Sequence, residues 1–121
     1  MKSIQFIHNI DSGRTIAVEE IPVQDLMDLI DLLTSNQPPQ GEFAININVG
    51  IAKLHPKDKY IKAEGRKIAV LNMSSVLFNV QRVDIRMDGN IYFLIQNGNI
   101  ALSVMVNRSK TKTYAISAWA R

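Results

Sequence analysis

The chain has 121 residues, 46% of them apolar and 21% charged, which suits one domain (residues 1–121) with a sizeable core of its own. It contains no cysteine, which excludes a disulfide scaffold, a thiolate zinc site and a cysteine nucleophile, and fits a reducing, cytoplasmic setting. The net charge of +3 is unevenly laid out: Glu19, Glu20, Asp25, Asp28 and Asp31 fall in a span without Lys or Arg, whereas Lys53, Lys57, Lys59, Lys62, Arg66 and Lys67 crowd together and Arg108, Lys110, Lys112 and Arg121 dominate the tail.

Met1–His8 has no long apolar run or small-residue cleavage site, so a signal peptide is not expected there. Nor does any stretch of the length a membrane span needs occur, so no membrane partner is expected. Residues 2–8 and 14–18 predict short strands, separated by turn residues at Asn9–Gly13. Pro22 precedes Val23, Leu26, Leu29, Ile30 and Leu33, spaced by three and four. That pattern predicts an amphipathic helix with proline in its first turn and acids near its positive end, terminated by Asn36–Gly41. Residues 43–51 alternate, with Phe43, Ile45, Ile47, Val49 and Ile51 on one face, as in a strand with one buried side.

His55-Pro56 opens a second predicted helix, residues 56–68. The residue before proline avoids the α region, so His55 is a fitting N-cap, Pro56 the first helical residue, and Asp58 an acid in reach of free backbone N–H groups. Ile61, Gly65 and Ile68 form the stripe expected to face a sheet. Gly65 costs about 1 kcal/mol relative to alanine, which implies either a close approach to a strand or a helix that ends earlier.

From Ser75 the pattern is an antiparallel meander. Val76, Phe78 and Val80 share one parity and Val83, Ile85 and Met87 the other, so a bulge is expected near Gln81-Arg82. Asp88-Gly89-Asn90 and Asn97-Gly98-Asn99 predict hairpin turns built on positive φ. They flank a strand at 91–96, apolar on both parities and therefore expected to be covered on both faces, and a strand at 100–107. A last strand is expected at 113–119. The fold class that follows is α+β, a mainly antiparallel sheet with two helices packed on one face, the other face being buried in a homodimer.

Among candidate sites, Lys59, Lys62 and Arg66 are spaced three and four apart and form one helical stripe. With Lys53, Lys57, Lys67, Arg108, Lys110 and Lys112 they are the residues suited to phosphates or to an acidic protein surface. A solvated helix face would look the same. Tyr114 and Trp119 could stack on bases, but in a regular strand they fall on opposite parities, so at most one joins a platform. His8 and His55, the only histidines, lack ligand spacing, so no metal is expected, and no cofactor. Arg82, Asp84, Arg86 and Asp88 alternate in sign as on a solvent-facing strand. No phosphate loop or nucleophile elbow occurs.

The segment His55, Pro56, Asp58, Tyr60, Lys62, Gly65, Arg66, Ile68 and Ala69 resembles an element of small bacteriophage and mobile-element accessory proteins, most of them without an assigned activity. The resemblance spans about 15 residues and implies a viral accessory protein rather than any reaction. The expectation is a non-catalytic binding protein that contacts nucleic acid or a nucleoprotein through its basic helix face. A second reading is an inhibitor or adaptor that blocks a host enzyme or defence complex. A third, a small metal-dependent nuclease, would need Asp84, Glu64 and Lys67 around a divalent ion, and no pattern joins them.

Overall fold

The computed structural model describes residues 2–35, 43–54 and 59–121. Its elements are β1 (Ile4–Asn9), β2 (Arg14–Glu19), α1 (Val23–Thr34), β3 (Ala44–Lys53), α2 (Lys62–Leu71), β4 (Ser74–Ile85), β5 (Ile91–Asn97), β6 (Ile100–Val106) and β7 (Thr113–Ala120). The seven strands form one sheet in sequence order, every neighbouring pair antiparallel, so the fold is α+β. The meander therefore runs the whole chain and not only its second half.

The sheet curls until β1 nears β7. No strand ladder joins these two; side-chain amides of β1 bridge them instead. Gln5 Oε1 accepts from the Ala115 backbone N at 2.6 Å, and Asn9 Nδ2 donates to the Ala118 carbonyl at 3.0 Å. Gln5 and Asn9 share the inward parity of Ile7, so the barrel closes from inside. Its interior holds Ile16, Val18, Ile47, Val49, Phe78, Phe93, Ile95, Leu102 and Val104. Fully buried side chains of this size each contribute roughly 1.5–3 kcal/mol.

Helix α1 adds Leu26 and Leu29 to that interior, with Pro22 at the N-cap position just ahead of the first turn. Thr113 Oγ1 donates to the Ile21 carbonyl at 2.6 Å and fixes the chain entering α1. Helix α2 lies on the opposite surface: its buried Ala69 meets Ala17 and Ala52, of opposite parity to Ile16 and Ile51. The expectation that both helices cover one face is thus corrected. The curl accounts for it, because the inner face needs only one short helix to cover it. The inward apolar residues of the sheet are covered by the chain itself, whereas the outer face of β5 to β7 keeps Leu94, Ile116 and Trp119 exposed.

Three further differences have physical causes. The second helix runs Lys62–Leu71, not 56–68: Tyr60 is held by hydrogen bonds and Ile61 is extended (φ −122°, ψ 110°), so winding starts only afterwards. His55, Pro56, Lys57 and Asp58 lie outside the described residues, as do Asn36–Gly41. Strand β5 buries Ile91, Phe93 and Ile95, but Leu94 on its other parity is exposed, so the outer face here is uncovered. The 97–99 turn needs no positive φ, since Asn97 Oδ1 accepts from the Asn99 backbone N at 3.1 Å; Gly89 in the 88–90 turn does adopt φ +89°. The register shift between Val80 and Arg82 places a bulge where the parity break predicts one.

Gly50 marks the closest contact of α2 with the sheet, where a Cβ would stand 1.9 Å from the Ala69 carbonyl oxygen. Gly50→Ala should therefore push the helix off the sheet and destabilise the fold by about 3 kcal/mol. Gly98→Ala, with nothing within 4 Å of its Cβ, should be near neutral. Urea denaturation of the two variants checks this. Equal midpoints would contradict the packing described.

Candidate functional site

Antiparallel order decides which cations meet. The end of β3, the β1–β2 turn and the start of α2 lie at one end of the barrel, with Leu54 N donating to the Gly13 carbonyl at 2.7 Å. The β6–β7 loop lies at the other end, beside the β4–β5 turn. There Lys110 Nζ donates to the Gly89 carbonyl at 2.8 Å and Asn90 Oδ1 accepts from the Arg108 backbone N at 2.8 Å. Lys53, Lys59, Lys62, Arg66 and Lys67 therefore gather at one end, and Arg108, Lys110 and Lys112 at the other. A strand length separates them, roughly 25 Å for β7. Lys57 lies outside the described residues.

The basic stripe is also different in detail. Lys59 precedes the helix, so only Lys62 and Arg66 keep the i, i+4 relation. Helix α2 turns Gly65 and Ala69 to the sheet, a Cβ at Gly65 meeting Thr15 Oγ1 at 2.5 Å. Ile61 and Ile68, expected to face the sheet, stand half exposed on one flank, and Lys62 and Arg66 occupy the other. Lys67 points away from the sheet.

Beneath α2, His8, Thr15 and Tyr60 form a hydrogen-bonded triangle. His8 Nδ1 lies 3.0 Å from Tyr60 Oη and 3.2 Å from Thr15 Oγ1, and the two hydroxyls are 3.2 Å apart. In a neutral ring Nδ1 accepts from one of these hydroxyls or, in the other tautomer, donates to one. Burial, then the Lys62 and Arg66 cations, hold the His8 pKa below its ordinary 6.5. Nothing in the spacing of the sequence signalled this triangle, whose members are 7 to 52 positions apart.

A second feature covers the outer face of β5, β6 and β7. The register of β6 with β7 shifts between Ser103 and Val104, so that Ser103 faces Ser117 while Val104 faces Ala115. Ile116 is the extra residue. Parity reverses across it, and Tyr114 and Trp119 both point outward, against the expectation for a regular strand. Tyr114 lies opposite Met105, which lies opposite Tyr92; Trp119 lies opposite Ala101, which lies opposite Gln96. Each aromatic ring has a cation over it: Arg86 at 4.6 Å from the Tyr92 centroid, Lys112 at 5.2 Å from Tyr114, Arg121 at 5.9 Å from Trp119. Trp119 is 53% exposed, and Leu77, Leu94 and Ile116 extend the patch. Between the rows, β6 turns Ala101, Ser103 and Met105 outward.

Among the described residues no group of three or more His, Asp or Glu is placed to hold a metal ion. Asp84 pairs with Arg82 at 3.1 Å on β4, whereas Glu64 and Lys67 ride on α2. Among the same residues no helix is long and apolar enough to cross a membrane. Comparison with protein-family models, curated proteins and solved structures finds no match to the chain.

The lowered His8 pKa has a signed consequence. Unfolding raises the affinity of His8 for its proton, so its stabilising share is complete above about pH 6.5 and is lost as pH falls through the lower folded value. Urea midpoints of the wild type should fall more steeply from pH 7.5 to 5.5 than those of His8→Gln. Identical slopes would contradict the triangle's protonation state.

Proposed function

We propose that the protein is a non-catalytic binding protein that takes single-stranded nucleic acid across the outer face of β5, β6 and β7. What supports this most is the bulge at Ile116, which brings Tyr114 and Trp119 onto the face that already carries Tyr92. Aromatic side chains there offer π-faces to splayed bases, and Arg86, Lys112 and Arg121 stand beside them for the phosphates. Exposed cation–π contacts of this kind are worth about 0.5–1 kcal/mol, so a base can displace or share them. Tyr92 and Tyr114 flank β6 at roughly 10 Å, two strand spacings. Rings so spread suit an unstacked strand, whose bases are free to splay, better than a duplex. Arg108 and Lys110, at the same end as Lys112, extend the positive field.

The setting we propose with this is a bacteriophage or mobile element acting in the host cytoplasm, on the resemblance carried by residues 55–69. Exposed Leu77, Leu94, Ile116 and Trp119 would also suit a homodimer contact; in this reading nucleic acid covers them. A second reading, the inhibitor or adaptor that blocks a host enzyme or defence complex, is favoured by one observation. Ile68, Val70 and Leu71 stand exposed on the helix that carries Lys62 and Arg66, a mixed surface suited to an acidic protein groove.

Fluorescence anisotropy with a labelled oligothymidylate separates these readings. Trp119→Ala should weaken binding about 5- to 150-fold, the 1–3 kcal/mol of one stacked base. The wild-type log–log salt slope should be roughly −2, for three cations at −0.7 each, and should flatten in Arg86→Glu/Lys112→Glu. Lys59→Glu/Lys62→Glu/Arg66→Glu should leave oligonucleotide binding largely unchanged. Loss in that triple variant with none in Trp119→Ala would move the interface to α2 and overturn the proposal.

A further inference from the structure

Between α2 and the outer surface of β2 and β3 lies a cleft of about 370 Å³, within the range of small-molecule sites. One wall is apolar, made by Ile61 and Ile68, each left nearly half exposed because the helix gives Gly65 and Ala69 to the sheet. Thr15, 2% exposed, and Tyr60 line its floor, their hydroxyls joined to each other and to His8. Lys53 and Lys59 stand at its rim, with Glu64 the one carboxylate among the described residues lining it. Gly13 and Gly65 line it without side chains, so the backbone is within reach of a ligand.

We propose that this cleft is a second site, independent of the outer sheet face, and that it takes a mononucleotide. Each part of such a ligand has its counterpart. Lys53 and Lys59 meet the phosphoryl group. Tyr60 and the backbone at Gly13 and Gly65 border the sugar, and Ile61 and Ile68 cover the planar ring. An inorganic anion would use the lysines and leave the apolar wall idle, and an apolar ligand would leave two lysines unused. Lys62 and Arg66, on the far flank of α2, add to the positive field on this side of the barrel. Burial first, and then that same field, lowers the His8 pKa.

Amide chemical-shift mapping of the whole chain tests this with three separate titrants: adenosine monophosphate, adenosine and inorganic phosphate. The monophosphate should shift the amides of Gly13, Lys53 and Gly65 in a saturable way, leave the Trp119 indole N–H in place, and bind at least tenfold more tightly than either fragment. Lys53→Glu/Lys59→Glu should abolish those shifts with the rest of the spectrum unchanged. Ile68→Ser, on an exposed flank where folding should survive, should weaken the monophosphate and not phosphate. Phosphate binding as tightly as the nucleotide would overturn the proposal. So would shifts confined to β5–β7, or no shifts at millimolar nucleotide. Loss of oligonucleotide binding in Trp119→Ala leaves this test untouched, so the two sites stand or fall separately.

Discussion

One extra residue in β7 governs both the closure of this barrel and what its outer surface displays. Ala115 and Ala118, the two β7 residues that receive the bridging amides of β1, lie on either side of Ile116. With regular alternation, Trp119 and Ser117 would follow Thr113 and Ala115 into the interior. The bulge instead returns Ala118 and Ala120 inward, where small side chains fit between β6 and the seam, and turns Trp119 out. Closing the sheet by side-chain amides and exposing the aromatic row are therefore consequences of one backbone irregularity. Bulges commonly re-aim a side chain in this way.

Much of the architecture was legible in the sequence, for reasons that can be named. The alternation of Ile45, Ile47 and Val49, the three-and-four spacing of Val23, Leu26, Leu29, Ile30 and Leu33, and the parity break after Val80 are periodic signals, which burial enforces directly. What stayed hidden depends on contacts between distant residues. The curl is held by Gln5 and Asn9, whose partners on β7 lie about 110 positions away and leave no local pattern. The β7 bulge is masked because Ala115, Ala118 and Ala120 are weak parity markers. The pattern assigns Ile61, Gly65 and Ile68 to the sheet-facing side of α2. Gly65 does lie against Thr15, but the close approach to Gly50 brings in the small Ala69 and leaves the two isoleucines on a flank.

The candidate site shows the same division. Charge asymmetry singled out nine cations, yet charge says nothing of strand direction, and the antiparallel order sends Lys53–Lys67 and Arg108–Lys112 to opposite ends of the barrel. Tyr114 and Trp119 were visible as aromatic residues beside a basic tail, but their common face was not. Tyr92, between two hairpin turns, carried no signal beyond belonging to an apolar strand. The His8–Thr15–Tyr60 triangle joins three segments whose proximity only the folded sheet creates.

The chain has a single tryptophan, and it stands on the outer face proposed as the interface. Its intrinsic fluorescence during titration with unlabelled oligothymidylate therefore reports directly on stacking at that position. The account predicts saturable quenching that weakens as salt rises and that matched duplex DNA does not reproduce. Unchanged Trp119 emission, under conditions where anisotropy shows the oligonucleotide bound, would contradict it.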